Sequence, residues 1–140
     1  MKARIKWVQD VTFVGESGSG HSVVMDGSPE SGGRNLGIRP MEMLLIGLGG
    51  CSAFDVVLIL KRGREPVTDC VVDIDAERAP TDPKVFTKIK MIYTVTGNGL
   101  DRNKVERAVN LSAEKYCSAS KIMSATAEIS HEINIVDSNR

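Results

Sequence analysis

The run Met41 to Leu60 decides most of what this chain can become, because it is apolar over about the 20 residues a bilayer-spanning helix needs. Pro40 opens it, and proline suits a first helical position, where its missing N–H would be unpaired anyway. Lys61, Arg62 and Arg64 follow at the negative end of the helix dipole. A membrane span is disfavoured by Asp55 inside the run, by Glu42 near its start, and by strand-like segments on both sides that a lone span leaves unexplained. The expectation is a soluble helix buried on nearly all sides. Gly47, Gly49 and Gly50 each cost roughly 1 kcal/mol against alanine in an exposed helix, so another backbone or a ligand is expected to come close there.

Upstream, Arg4 to Val8 alternates, Thr12 to Val14 is β-rich, and Gly15-Glu16-Ser17-Gly18-Ser19-Gly20 turns into His21 to Met25. That glycine run leads into a strand rather than a helix N-terminus, so it is a hairpin turn and not a phosphate-binding loop. Gly27 to Gly37 is a polar surface loop too short to join two domains. Downstream, Val67 to Ala79 sets Cys70, Val72, Ile74 and Ala76 against Asp69, Asp73, Asp75 and Glu77, and Val85 to Thr96 alternates again. The two make an antiparallel hairpin with one wet face. Asp101 caps a helix from Arg102 to Tyr116 with the apolar stripe Val105, Ala108, Val109, Ser112 and Tyr116, and a short helix runs from Ser118 to Thr126. The last strand, Glu128 to Val136, places His131 among Ile129, Ile133 and Ile135, where a core or interface role is expected. Strands, long helix, hairpin, helix and strand in that order predict an α+β fold, and the length predicts one domain over residues 1–140.

The charges balance, 18 Lys+Arg against 18 Asp+Glu, which removes the electrostatic footprint of a nucleic-acid or anionic-membrane binder. The basic start Met1 to Trp7 leads into no apolar stretch of a secretory signal, so a reducing cytosol is the expected compartment. Cys51, Cys70 and Cys117 are an odd number with no C-x-x-C spacing, and His21 and His131 lie most of the chain apart. No disulfide scaffold, metal site or cofactor is expected.

Chemistry is left to the thiols. Cys51 lies in the long helix on a stripe with Leu44, Leu48 and Leu58, where a packed core thiol competes with a reactive one. Cys117 falls at the break between two helices, where N–H groups of the following turn can favour a thiolate. Cys70 shares the covered face of a strand and reads as structural.

The string Arg39-Pro40-Met41-Glu42-Met43-Leu44-Leu45-Ile46-Gly47-Leu48-Gly49-Gly50-Cys51-Ser52 resembles the central helix of the OsmC/Ohr family of osmotically induced and organic-hydroperoxide-resistance proteins, in which P-x-E-L-L-L-x-x-L-G-G-C recurs. Glu114-Lys115-Tyr116-Cys117-Ser118 resembles the segment of that family's second cysteine. With Pro83-Lys84-Val85-Phe86-Thr87 the resemblance covers nearly the whole chain, nearest to the YhfA-like branch. It implies antiparallel sheets wrapped around a long buried central helix in an intertwined homodimer. It also implies a thiol peroxidase: Cys51 attacks a small, organic hydroperoxide, Cys117 resolves the sulfenic acid as a disulfide within one chain, and a dithiol or lipoyl reductant restores both.

Three positions depart from the peroxidases. They carry an Arg in the N-terminal hairpin, whereas the turn Gly15 to Gly20 has none; Met41 stands where they have Glu, the acid here being Glu42; Ser118 replaces their Pro. Glu42, nine residues before Cys51, points about 180° away and ~13 Å down the helix axis, out of reach of that thiol. Arg34 and Arg39 are the candidate substitutes for the lost cation. The departures favour an alternative, an OsmC-like thiol-pocket protein that binds a small apolar ligand or handles sulfur species.

Overall fold

Alternation and turn chemistry produce three short strands first: β1 (Ala3–Gln9), β2 (Thr12–Ser17) and β3 (Ser22–Met25), an antiparallel meander in that order. The computed structural model describes residues 1–139, which fall into two compact units, Met1–Ile46 and the chain from Gly47 onward. β2 runs through Gly15, paired with Ile5 and Val23, so the glycine-serine run turns only after Ser17. The loop after β3 has almost no apolar side chain to hold it, and Asp26 supplies the anchor instead. This buried carboxylate accepts the N–H groups of Gly27 (2.8 Å), Leu36 (3.1 Å) and Arg34 (3.3 Å). Burial pushes its pKa up, but those donors together with the Thr12 hydroxyl prevail and hold it below the ordinary carboxylate value. A Cβ on Gly33 or Gly37 would strike the carbonyl of Gly27 or Val24, so both glycines are dictated by close backbone approach.

Helix α1 (Pro40–Arg62) starts as the sequence requires, with proline at its first position. Glu42 Oε1 accepts the N–H of Arg39 at 2.8 Å, the returning half of a capping box. Within this chain α1 is covered on one side. The buried residues of α1 are Leu48, Gly49, Ser52, Val56 and Leu60, one stripe at helical spacing, while Phe54 is 68% and Ile46 59% exposed. Of the expected stripe of Leu44, Leu48 and Leu58 only Leu48 is buried, because a single sheet can cover only one face of a helix. The close approach expected at the glycines holds for one of them and comes from a side chain: a Cβ on Gly49 would lie 3.1 Å from Ile74 Cδ1, whereas Gly47 and Gly50 face open space. α1 is long and apolar enough to cross a membrane, and among the described residues it is the one helix that is.

In the second unit β4 (Val67–Arg78) and β5 (Phe86–Gly97) form the antiparallel hairpin the alternation predicts, with Cys70 opposite Val95 and Ile74 opposite Met91. β6 (Glu128–Asp137) runs parallel to β5, so this sheet is mixed and the expectation of antiparallel sheets is corrected. The reason is the connection, a helical crossover that returns the chain to the same end of the sheet. It consists of α2 (Arg102–Leu111), a π-helical turn (Ser112–Tyr116) and α3 (Ser118–Met123). The helical path ends at Tyr116 as the sequence predicts, though its last turn is π-helical, while α3 stops at Met123 rather than the expected Thr126. Asp101 caps α2 as expected, accepting the N–H groups of Asn103 (2.8 Å) and Lys104 (3.4 Å). Glu65, just past α1, accepts from the Asp101 N–H and from Lys104 Nζ at 2.7 Å. The core joins Leu48, Val56 and Leu60 of α1, the alternate residues Ile89, Met91, Tyr93 and Val95 of β5, and Val105, Ala108 and Val109 of α2.

Candidate functional site

Cys117 owes its place to the π-helical turn. Its N–H reaches back five residues to the Ser112 carbonyl (2.8 Å), after which the backbone turns extended and Cys117 becomes the N-cap of α3. The thiol, 4% exposed, accepts the N–H of Ser120 at 3.4 Å. Cys51, half-buried on α1, is near enough to bear on the titration of that thiol. The second unit thus brings together two thiols that are 66 positions apart in sequence.

Their electrostatics differ from the sequence expectation for a cysteine at a helix start. Burial pushes the Cys117 thiol up; the Ser120 hydroxyl and N–H pull it down; the neighbouring Cys51 pushes it up again. The net direction is upward from the ordinary value of 9.0, so at neutral pH Cys117 is a thiol that holds its proton beside Cys51. A short helix offering one long N–H contact does not outweigh desolvation. Cys51→Ala removes that neighbour and should move the alkylation profile of Cys117 toward lower pH. An unchanged profile in iodoacetamide titrations followed by mass spectrometry would contradict this arrangement.

A cavity of about 900 Å3 opens onto Cys117, walled by Met91, Tyr93, Tyr116, Ile122 and His131. His131 is exposed here rather than in the core: its Nε2 lies 3.2 Å from Asn110 Oδ1 and its ring stands edge-on to Tyr93 at 6.4 Å. Cys70 stays in the strand the alternation gives it, its thiol pushed up by burial and by the Asp69 carboxylate. The candidate cations have partners in the first unit. Arg34 lies 3.6 Å from the Asp10 carboxylate and donates to the Thr12 hydroxyl, while Arg39 donates to Asn35 Oδ1 (2.9 Å) and the Gly37 carbonyl (3.1 Å). Glu42 is the helix cap already described.

A buried group of hydroxyls beside the thiols is absent from the sequence reading. Ser52 Oγ meets the Tyr93 hydroxyl and lies 3.1 Å from Ser112 Oγ, which donates to Asp55 Oδ2 at 2.9 Å. Burial pushes the Tyr93 phenol up, Ser52 opposes it, and nearby Cys117, Cys70 and Asp55 add to the rise. The signal that could have found the group is a serine at a core position of each of two helices, Ser52 next to Cys51 and Ser112 on the apolar stripe of α2.

The model of the OsmC-like protein family matches residues 32–132. Protein YhfA of Escherichia coli strain K12 is 48% identical over 136 residues, covering 97% of this chain and 98% of its own. A structural genomics target of solved structure is 45% identical with a TM-score of 0.89, covering 99% of this chain and 100% of its own. The organic hydroperoxide resistance protein OsmC from Legionella pneumophila, 16% identical, shares the fold at a TM-score of 0.69 over 95% of each chain. The chain belongs to the OsmC-like protein family.

Proposed function

We propose that this chain is a thiol-dependent hydroperoxide reductase, acting as a cytoplasmic homodimer, with Cys51 as the peroxidatic and Cys117 as the resolving cysteine. The observation that carries the reading is the nearness of Cys51 to the buried Cys117 thiol, which in turn lines a cavity. The Legionella protein that shares the fold is an organic hydroperoxide resistance protein, which supports the choice of substrate class. In the first step Cys51 Sγ, as thiolate, attacks the outer peroxide oxygen; the O–O bond breaks, the alkoxide leaves and is protonated to the alcohol, and Cys51 is oxidised to a sulfenic acid. In the second step Cys117 Sγ attacks Cys51 Sγ, its proton and the sulfenic hydroxyl leave as water, and a disulfide forms. A dithiol of the dithiothreitol or lipoyl type then reduces that disulfide by exchange and is itself oxidised to its cyclic disulfide.

With dithiothreitol or dihydrolipoamide as reductant, the wild type should consume cumene or tert-butyl hydroperoxide at least ~100-fold faster than Cys51→Ser, on the scale by which loss of a nucleophile lowers turnover. Equal rates would end this reading. They would favour the second one, a thiol-pocket protein that binds a small apolar ligand or handles sulfur species, to which the lack of an Arg in the hairpin turn Gly15 to Gly20 points.

A further inference from the structure

Three buried hydroxyls beside the thiol pair are linked to one another and to a carboxylate. The Ser112 hydroxyl donates to Asp55 Oδ2 at 2.9 Å. Ser112 Oγ lies 3.1 Å from Ser52 Oγ, which in turn meets the Tyr93 hydroxyl. Ser52 and Ser112 are fully buried, and among the described residues no buried side-chain N or O atom lacks a partner. The order runs Tyr93 to Ser52 to Ser112 to Asp55, across β5, α1 and the turn that follows α2.

Ser112 holds both thiols from this chain. Its side chain ties down Ser52, the residue after Cys51, and Asp55, one turn further along α1. Its carbonyl accepts the Cys117 N–H at 2.8 Å, the bond that closes the π-helical turn. In an α-helix that carbonyl would bond the residue four positions on; the extra residue sends Cys117 out of the helical path and onto the start of α3.

We infer that Ser112 is the positioning residue of the thiol pair, fixing Cys117 against Cys51 through its hydroxyl on one side and its carbonyl on the other. A disulfide tolerates only a narrow range of Cα separation and torsion, so loosening either attachment lowers the effective concentration of one thiol at the other. The inference rests on the reading of Cys51 and Cys117 as a reacting pair, but not on peroxide as the oxidant.

The test is the equilibrium of the Cys51–Cys117 dithiol with its disulfide in glutathione buffers, in which one glutathione disulfide is reduced to two glutathiones for each protein disulfide formed. Ser112→Ala should lower that equilibrium constant about tenfold, the worth of one buried hydrogen bond. Ser112→Thr, which keeps the hydroxyl, should stay within about twofold of wild type. Val109→Ala, a core truncation on the same helix, measures the effect of lost stability alone and should leave the constant unchanged. If Ser112→Ala does not fold, Asp55→Ala on the half-exposed end of the chain should lower the constant in the same direction. A constant for Ser112→Ala equal to that of wild type or of Val109→Ala overturns the inference, as does a wild type that forms no Cys51–Cys117 disulfide. A wild type that forms the disulfide with Ser112 dependence but turns over no hydroperoxide sustains the positioning role and sinks the peroxidase reading alone.

Discussion

One equivalent of hydroperoxide is expected to convert nearly all of the reduced protein to a Cys51–Cys117 disulfide within a single chain, leaving Cys70 as a free thiol. The expectation follows from what surrounds each sulfur. Cys117 lies near Cys51, with burial pushing its pKa up, so it supplies the second sulfur once it has given up its proton. Cys70 is held in β4 opposite Val95, and burial with the Asp69 carboxylate keeps its thiolate scarce. Cys117→Ser should therefore stop at a Cys51 sulfenic acid that dimedone traps, and excess oxidant should carry it to the sulfinic acid. Cys70→Ser should behave as wild type. Because the attacking form of Cys117 is its thiolate, the condensation step should quicken as pH rises toward the raised pKa. Peptide mapping that finds Cys70 in the disulfide, or sulfonic acid on Cys51 with Cys117 untouched, would mean that the wrong thiols have been paired.

The parts of this site that depend on local chemistry were legible in the sequence. Pro40 and the basic residues past Leu60 mark α1, Asp101 announces α2, and the break between two helices places Cys117 at a helix start. What was not legible depends on groups far apart in the chain. Alternation along β6 is the same whether it runs with β5 or against it, so the parallel pairing is decided by the crossover. The one-residue bulge after Leu111 barely disturbs the spacing of Val105, Ala108, Val109 and Ser112, which hides the π-helical turn. Ser52 and Ser112 are 60 positions apart, and neither signals that the other satisfies it. His131 keeps company with three isoleucines in sequence, yet its side of β6 opens on the cavity and the isoleucines themselves are only half-buried. The sign of the Cys117 shift was missed for an energetic reason: a helix start favours a thiolate by an amount that burial exceeds.

Phe54→Asp is expected to turn the proposed homodimer into a monomer, because in that reading a second copy of this chain covers the exposed side of α1. The sequence makes α1 apolar on every face, but the chain covers only the stripe from Leu48 to Leu60. Phe54 and Ile46 are exposed, and at Gly47 and Gly50 nothing among the described residues lies within 4 Å of an added Cβ. Removing one phenylalanine side chain from water is worth about 1.5–3 kcal/mol, and two-fold symmetry counts it twice. Aspartate forfeits that gain and adds the desolvation of a charge, so the dissociation constant should rise at least ~100-fold. Phe54→Leu, which keeps an apolar side chain, should remain dimeric. Sedimentation equilibrium at micromolar concentration decides the matter: a monomeric wild type, or a Phe54→Asp protein with the mass of a dimer, would show that something other than a second copy covers this face.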